Sequence, residues 1–116
     1  MSALVIRGGR VIDPANGVDA LQDVLIEEAT IKRVGPKLRA AEGTEIVEAA
    51  GKIVCPGFID IHVHLREPGQ EYKETVASGT RAAAAGGFTA VCCMANTSPV
   101  NDTGAVTDYI LAKAKS

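Results

Sequence analysis

The sequence predicts an α/β protein in which a small β-rich region leads into alternating parallel strands and helices. Three observations carry that prediction. Short apolar runs separated by Gly, Pro and Asn fill residues 1–55 and read as strands joined by tight turns. From Pro56 onward the order becomes strand, helix, strand, helix, which makes the two later strands parallel. The only two histidines, His62 and His64, fall at the end of the first of these later strands. Parallel α/β sheets carry their ligand sites at that end.

In the first region, Leu4-Val5-Ile6-Arg7 and Arg10-Val11-Ile12-Asp13 flank Gly8-Gly9, a pair that allows the positive φ of a two-residue turn. A hairpin is predicted there. Pro14-Ala15-Asn16-Gly17 is a turn. Asp23-Val24-Leu25-Ile26-Glu27 and Thr30-Ile31-Lys32-Arg33-Val34 predict a second hairpin across Glu28-Ala29, although that pair lacks the Gly or Asn such turns favour. Gly35-Pro36 ends it. Thr44-Glu45-Ile46-Val47-Glu48 and Lys52-Ile53-Val54-Cys55 are further short strands.

In the second region, Phe58 through Leu65 reads as a strand. Glu71 to Ala85 reads as a helix with Tyr72, Val76, Thr80 and Ala83 near one face, and with Glu71 and Glu74 where the helix dipole favours acid. Gly86-Gly87 stops it. Phe88 to Asn96 is the second strand, and Thr97-Ser98-Pro99-Val100-Asn101-Asp102 is a loop. Asp102 or Thr103 caps a final helix running to about Lys115. That helix reaches the end of the chain without a C-terminal cap, and two parallel strands leave edges and an apolar face without partners. The chain therefore reads as the front of a longer protein, or as one that another chain completes.

Composition removes several classes of function. Acidic and basic residues number 8 and 7 in residues 1–58 and 6 and 5 in residues 59–116, so no basic stripe exists for nucleic acid or an anionic membrane. Aromatic content of 3% without Trp excludes base-stacking platforms. No apolar run approaches the roughly 20 residues of a membrane helix, and Met1-Ser2-Ala3-Leu4-Val5-Ile6-Arg7 lacks the form of a secretory leader. Three cysteines, an odd number, make no disulfide framework and read as small buried side chains in a reducing, cytoplasmic setting. Cys92 and Cys93 should face opposite sides of their strand.

The histidines carry the chemistry. Residues two apart on a strand share a face, about 6.6 Å apart at Cα, and two such imidazoles can reach one metal ion at about 2.0–2.1 Å. Strict alternation puts Asp60, His62, His64 and Arg66 on one face and Ile59, Ile61, Val63 and Leu65 on the other, which buries against helices. Taken singly, the histidines also fit a solvent-exposed pair, Arg66 a surface ion pair and Asn96 a loop former. Asp60 reads as an orienting or strand-end hydrogen-bonding group rather than a ligand.

Pro56-Gly57-Phe58-Ile59-Asp60-Ile61-His62-Val63-His64 resembles the first-strand signature of the amidohydrolase superfamily. His62-Val63-His64-Leu65-Arg66-Glu67-Pro68-Gly69, Lys73-Glu74-Thr75 and Met94-Ala95-Asn96-Thr97-Ser98-Pro99-Val100-Asn101-Asp102 resemble the dihydroorotase branch in particular. The resemblance implies a fold: residues 56–116 as the first two βα units of a (β/α)8 barrel, and residues 1–55 as the N-terminal half of a small composite, sandwich-like β-domain. It also implies roles. His62 and His64 would be ligands of one zinc ion in a site of one or two metals, and Arg66 and Asn96 would hold the substrate α-carboxylate. The implied reaction is the reversible closure of N-carbamoyl-L-aspartate to L-dihydroorotate in pyrimidine synthesis.

The same resemblance implies a general base and further metal ligands on later strands, so no catalytic group is expected in this chain and the 116 residues alone should neither turn over substrate nor fold as a stable monomer. Two other readings stay open. One is a different cyclic-amide hydrolase: a hydantoinase, dihydropyrimidinase or allantoinase. The other is a non-catalytic homologue, self-associating or bound to aspartate transcarbamoylase.

Overall fold

The computed structural model describes residues 3–115. Met1 and Ser2, which open the segment read as lacking a secretory leader, and Ser116 lie outside the described residues. The chain divides into two compact units, residues 1–56 and 57–116.

The first unit is a mixed sheet. β1 (Ala3–Asp13) pairs antiparallel with β2 (Val18–Glu27), and β2 pairs antiparallel with β3 (Thr30–Gly35). β4 (Glu45–Glu48) and β5 (Ile53–Val54) both pair with β1 in parallel, giving the order β3-β2-β1-β4 with β5 further along β1. The hairpin predicted at Gly8-Gly9 is not formed. β1 runs straight through the pair, Gly8 adopts φ +70°, and the register with β2 shifts between Ile6 and Gly9. Glycine freedom serves a bulge as readily as a turn; what decides is that β2 is long enough to pair with both halves of β1.

The other turns follow their chemistry. Asp13 accepts the Asn16 amide hydrogen at the head of the short 3-10 turn Pro14–Asn16, and Gly17 leaves it at φ +65°. Glu28 and Ala29 form the β2–β3 turn with both φ positive, at 51° and 58°, despite the absence of Gly or Asn. Val5, Val11, Val24 and Ala49 are buried. Asp23 is buried among them and ties the sheet internally. One carboxylate oxygen accepts the Gly8 N–H at 2.8 Å and the other the Leu38 N–H at 2.9 Å.

The second unit alternates as expected: β6 (Phe58–Val63), α1 (Val76–Ala85), β7 (Phe88–Cys93) and α2 (Gly104–Lys115), with β6 and β7 parallel. Leu65, Val76 and Ile110 form its core, joined by Val63, Val91, Cys93 and Val106. α1 is one turn shorter than predicted. It begins at Val76 because Thr75 and Ser78 form a capping box, each side chain taking the other's backbone N–H. Tyr72 and Glu71 therefore lie outside the helix, and no acid occupies its first turn. Gly86-Gly87 does stop it, with Gly87 at φ +84°.

Two further expectations are corrected. The apolar row predicted to lie under the helices is split: Val63 and Leu65 join the core, but Ile59 and Ile61 are 65% and 75% exposed. The β6–β7 register shifts between Asp60 and Val63, so strict alternation fails across that step. Asp60 is instead half-buried, and together with Val63, His64 and Val91 it borders a cleft of about 260 Å³ along α1. Among the cysteines, Cys93 packs on the core while Cys92 is exposed, the opposite facing predicted for the pair. Cys55 and Cys92 are nonetheless not buried, because Cys55 follows the two-residue β5 and Cys92 points away from the helices.

Candidate metal and substrate site

The candidate residues sit where β6 and β7 end side by side. Beyond β6, Leu65 plugs into the core and Glu67 is also buried, at 6% exposure. Arg66 is caught between them. Its φ is +65°, and the Glu67 N–H donates to the Leu65 carbonyl at 2.8 Å, closing a three-residue turn centred on Arg66. A positive-φ γ-turn at a residue with a Cβ is strained. The Arg66 carbonyl accepts the Gln70 N–H at 3.0 Å, which continues the wrap.

Glu67 fastens this loop to both helices. One of its oxygens accepts the Val76 N–H at 2.8 Å, satisfying a first-turn donor of α1. The other accepts the Tyr109 hydroxyl at 3.0 Å and lies 3.7 Å from Lys113 Nζ, both on α2. The Glu67 carboxylate holds the Tyr109 phenol above the usual tyrosine range, because losing that proton would break the bond and set two negative charges together. Nearby, the Gly69 N–H donates to Glu71 and holds its carboxyl below the usual carboxylate range.

The loop beyond β7 locks onto the first one. The Met94 N–H donates to the Val63 carbonyl at 2.8 Å and the Ser98 N–H to the Pro68 carbonyl at 2.9 Å. Thr97, buried, donates its hydroxyl to the Pro99 carbonyl at 2.7 Å. Gly69 makes the close approach possible: its φ is +98°, and a Cβ there would lie 2.2 Å from the Ser98 carbonyl oxygen. The two sequence signatures are thus one interlocked structure.

At this junction the structure brings together His62, His64 and Asn96. The two imidazole centroids are 5.3 Å apart with planes inclined by 59°. His64 Nδ1 lies 2.9 Å from Asn96 Oδ1. A carbonyl oxygen only accepts, so Nδ1 is the donor in this contact, and Nε2 is the ring nitrogen that the contact leaves unengaged. Metal-bound histidines make this kind of contact through the other ring nitrogen. Asp60 Oδ1 accepts the His62 N–H at 3.0 Å, at the step where the strand register shifts. Arg66 joins the group through the chain, two residues past His64, and no ion pair among the described residues engages its guanidinium.

Both histidines are exposed. Among the described residues no group of three or more His, Cys, Asp or Glu converges. Imidazoles are donors of a kind that suits zinc. The sequence pointed to His62, His64, Arg66 and Asn96, with Asp60 as a hydrogen-bonding group, but assigned no role to Glu67, whose partners lie 9 and 42 positions away. The Thr75–Ser78 cap did leave a signal, a Thr-x-x-Ser ahead of an apolar run.

Comparison with known proteins identifies the family. Residues 51–116 match the family model described as Dihydro-orotase-like. The chain is 60% identical over 113 residues to a dihydroorotase of Geobacter metallireducens and 62% identical to one of Geobacter sulfurreducens. Each alignment covers 97% of this chain and 27% of the relative, so the chain spans about a quarter of their length. Among solved structures it resembles a D-hydantoinase from Thermus sp., with TM-score 0.74 and 37% identity over 96% of this chain and 24% of that one. An L-hydantoinase from Arthrobacter aurescens shares the fold, with TM-score 0.85 and 22% identity over 98% of this chain and 25% of that one.

Proposed function

The chain belongs to the dihydro-orotase-like family, and from that premise we propose that it is the front of a zinc-dependent dihydroorotase, which reversibly closes N-carbamoyl-L-aspartate to L-dihydroorotate. In this reading residues 56–116 are the first two βα units of a (β/α)8 barrel and residues 1–55 half of a composite β-domain. Its three free thiols suit a cytoplasmic enzyme.

One observation carries the reading: the His64–Asn96 contact at 2.9 Å across the ends of two parallel strands, beside the His62 ring. It orients His64 so that Nε2 faces a ligand, and with His62 it supplies two zinc ligands. Zinc, when bound, supplies Lewis acidity for opening or closing a ring amide. Asn96, its carbonyl committed to His64, keeps its NH2 group as a donor to the substrate carboxylate. Arg66 adds a planar guanidinium that can donate two parallel hydrogen bonds to the same group. The remaining ligands and the general base belong to later strands.

The likeness to hydantoinases gives a second reading, hydrolysis of a cyclic amide without a free carboxylate. Arg66 separates the two. The test is turnover of dihydroorotate, hydantoin and allantoin by the full-length protein, with zinc measured in the same samples. Dihydroorotate should be the substrate, and His64→Ala should lose both zinc and turnover. Preference for hydantoin or allantoin would replace this reading with the second, and a folded protein inert toward all three would point to the non-catalytic one.

A further inference from the structure

We propose that Glu67 is a positioning residue for substrate binding, holding Arg66 in a strained turn so that its guanidinium is presented to the substrate carboxylate. The inference rests on the reading of Arg66 as the carboxylate-binding residue.

The argument begins with the backbone. An arginine gains nothing from φ +65°, and such a conformation persists only where its surroundings fix it. Here both neighbours are fixed. Leu65 is locked in the core with Val76 and Ile110, and α1 presses on it so closely that a Cβ on Gly79 would lie 2.6 Å from its side chain. Glu67 is locked by the α1 N-terminus on one oxygen and by Tyr109 on the other, with Lys113 alongside. Two buried anchors in adjacent alternate positions force the residue between them outward. The 2.8 Å bond from the Glu67 N–H to the Leu65 carbonyl then sets the angle at which it leaves.

Glu67 also differs from an ordinary helix cap. The Thr75–Ser78 box engages the Thr75 and Ser78 N–H groups, and Glu67 takes the Val76 N–H that the box leaves, so capping α1 occupies only one of the two carboxylate oxygens. Its second oxygen is committed to α2, which makes no contact of its own with the Arg66 backbone among the bonds described. Glu67 is the group through which both helices bear on the turn. A carboxylate can serve all three partners because it offers two acceptor oxygens and a charge.

The test uses the full-length protein and separates KM from kcat. Glu67→Gln keeps the volume and removes the charge facing Lys113 and the helix N-terminus. It should raise KM for dihydroorotate about tenfold with kcat changed less than about twofold, the pattern of a lost binding interaction, and with zinc content unchanged. Tyr109→Phe, which leaves the Glu67–Val76 bond in place, should shift KM the same way by about threefold. In an Arg66→Lys background neither substitution should raise KM further, because coupled residues do not add. Multiplying KM effects in that background, a fall in kcat at constant KM, or a melting change with no kinetic change would each overturn the proposal. Arg66→Lys alone checks the underlying reading: wild-type KM in that variant would remove the carboxylate-binding role itself.

Discussion

Among the described residues, each unit buries one acidic side chain, Asp23 in the sheet at 5% exposure and Glu67 in the βα unit at 6%. Their partners differ. Asp23 spends both oxygens on backbone N–H groups, at the β1 bulge and at the loop after β3. It replaces ladder bonds that the bulged register and the strand end leave out, and its work is finished within one unit of secondary structure. Glu67 takes one backbone donor from α1, and one tyrosine hydroxyl and a nearby ammonium from α2. Similar burial therefore has different consequences. The shorter acid completes a sheet, and the longer one joins two helices to the loop that carries Arg66.

The largest test of that contrast lies beside Glu67. Gly69→Ala places a Cβ against the Ser98 carbonyl in a backbone conformation that alanine resists, so it should cost about 3–5 kcal/mol. It should also impair substrate binding, since the two site loops must move apart. Thermal unfolding and KM of the full-length variant measure both, and near-wild-type stability would mean the loops are not interlocked.

Asp23→Ala should follow, at roughly 1–3 kcal/mol, because two half-buried amides lose their acceptors. The contrast sharpens if this loss leaves KM for dihydroorotate unchanged, as a purely structural carboxylate requires. A raised KM would show that the sheet too bears on the site.

The smallest effects come from pH and fall on opposite limbs. Arg10 donates two hydrogen bonds to Asp19 across β1 and β2, at 2.6 and 2.7 Å, which holds the Asp19 carboxyl below its usual range. A depressed acid stabilises above its unfolded pKa and loses that contribution as pH falls through the folded one. Tyr109 is raised, so its contribution is present below the usual phenol range and is lost as pH rises through the folded value. Both groups are exposed, so the shifts in melting temperature should be slight. Asp19→Asn should lower the melting temperature at about pH 6 but not at about pH 2.5, and Tyr109→Phe should flatten only the alkaline limb. The same response from both variants on one limb would contradict the assignment.

Much of this was legible along the chain. Pro14–Asn16 with Gly17, the β2–β3 hairpin, the helix stop at Gly86-Gly87 and the parallel pair β6–β7 all arise from neighbours within a few residues or from periodicity, which a sequence displays directly. The histidine pair was legible because its members are only two positions apart at the end of β6, and their rings do lie 5.3 Å apart although His64 falls just past the strand. Gly8-Gly9 was misread because its glycines permit either a turn or a bulge, and the choice belongs to β2, ten or more residues away. The split of Ile59 and Ile61 from Val63 and Leu65 was hidden because a register shift between strands leaves no mark in either strand alone.

What the sequence determined by itself is the order of elements, the strand ends at which the candidate residues meet and the residue types gathered there. Tertiary structure decided how those residues are held: the Asn96 contact that orients the His64 ring, the strained turn at Arg66 and the buried Glu67 that braces it. The physical reason is range. Turn chemistry and strand parity act over a few residues, whereas a buried carboxylate must find donors wherever the fold brings them, and those of Glu67 arrive from two helices that the chain has yet to form when it passes this position.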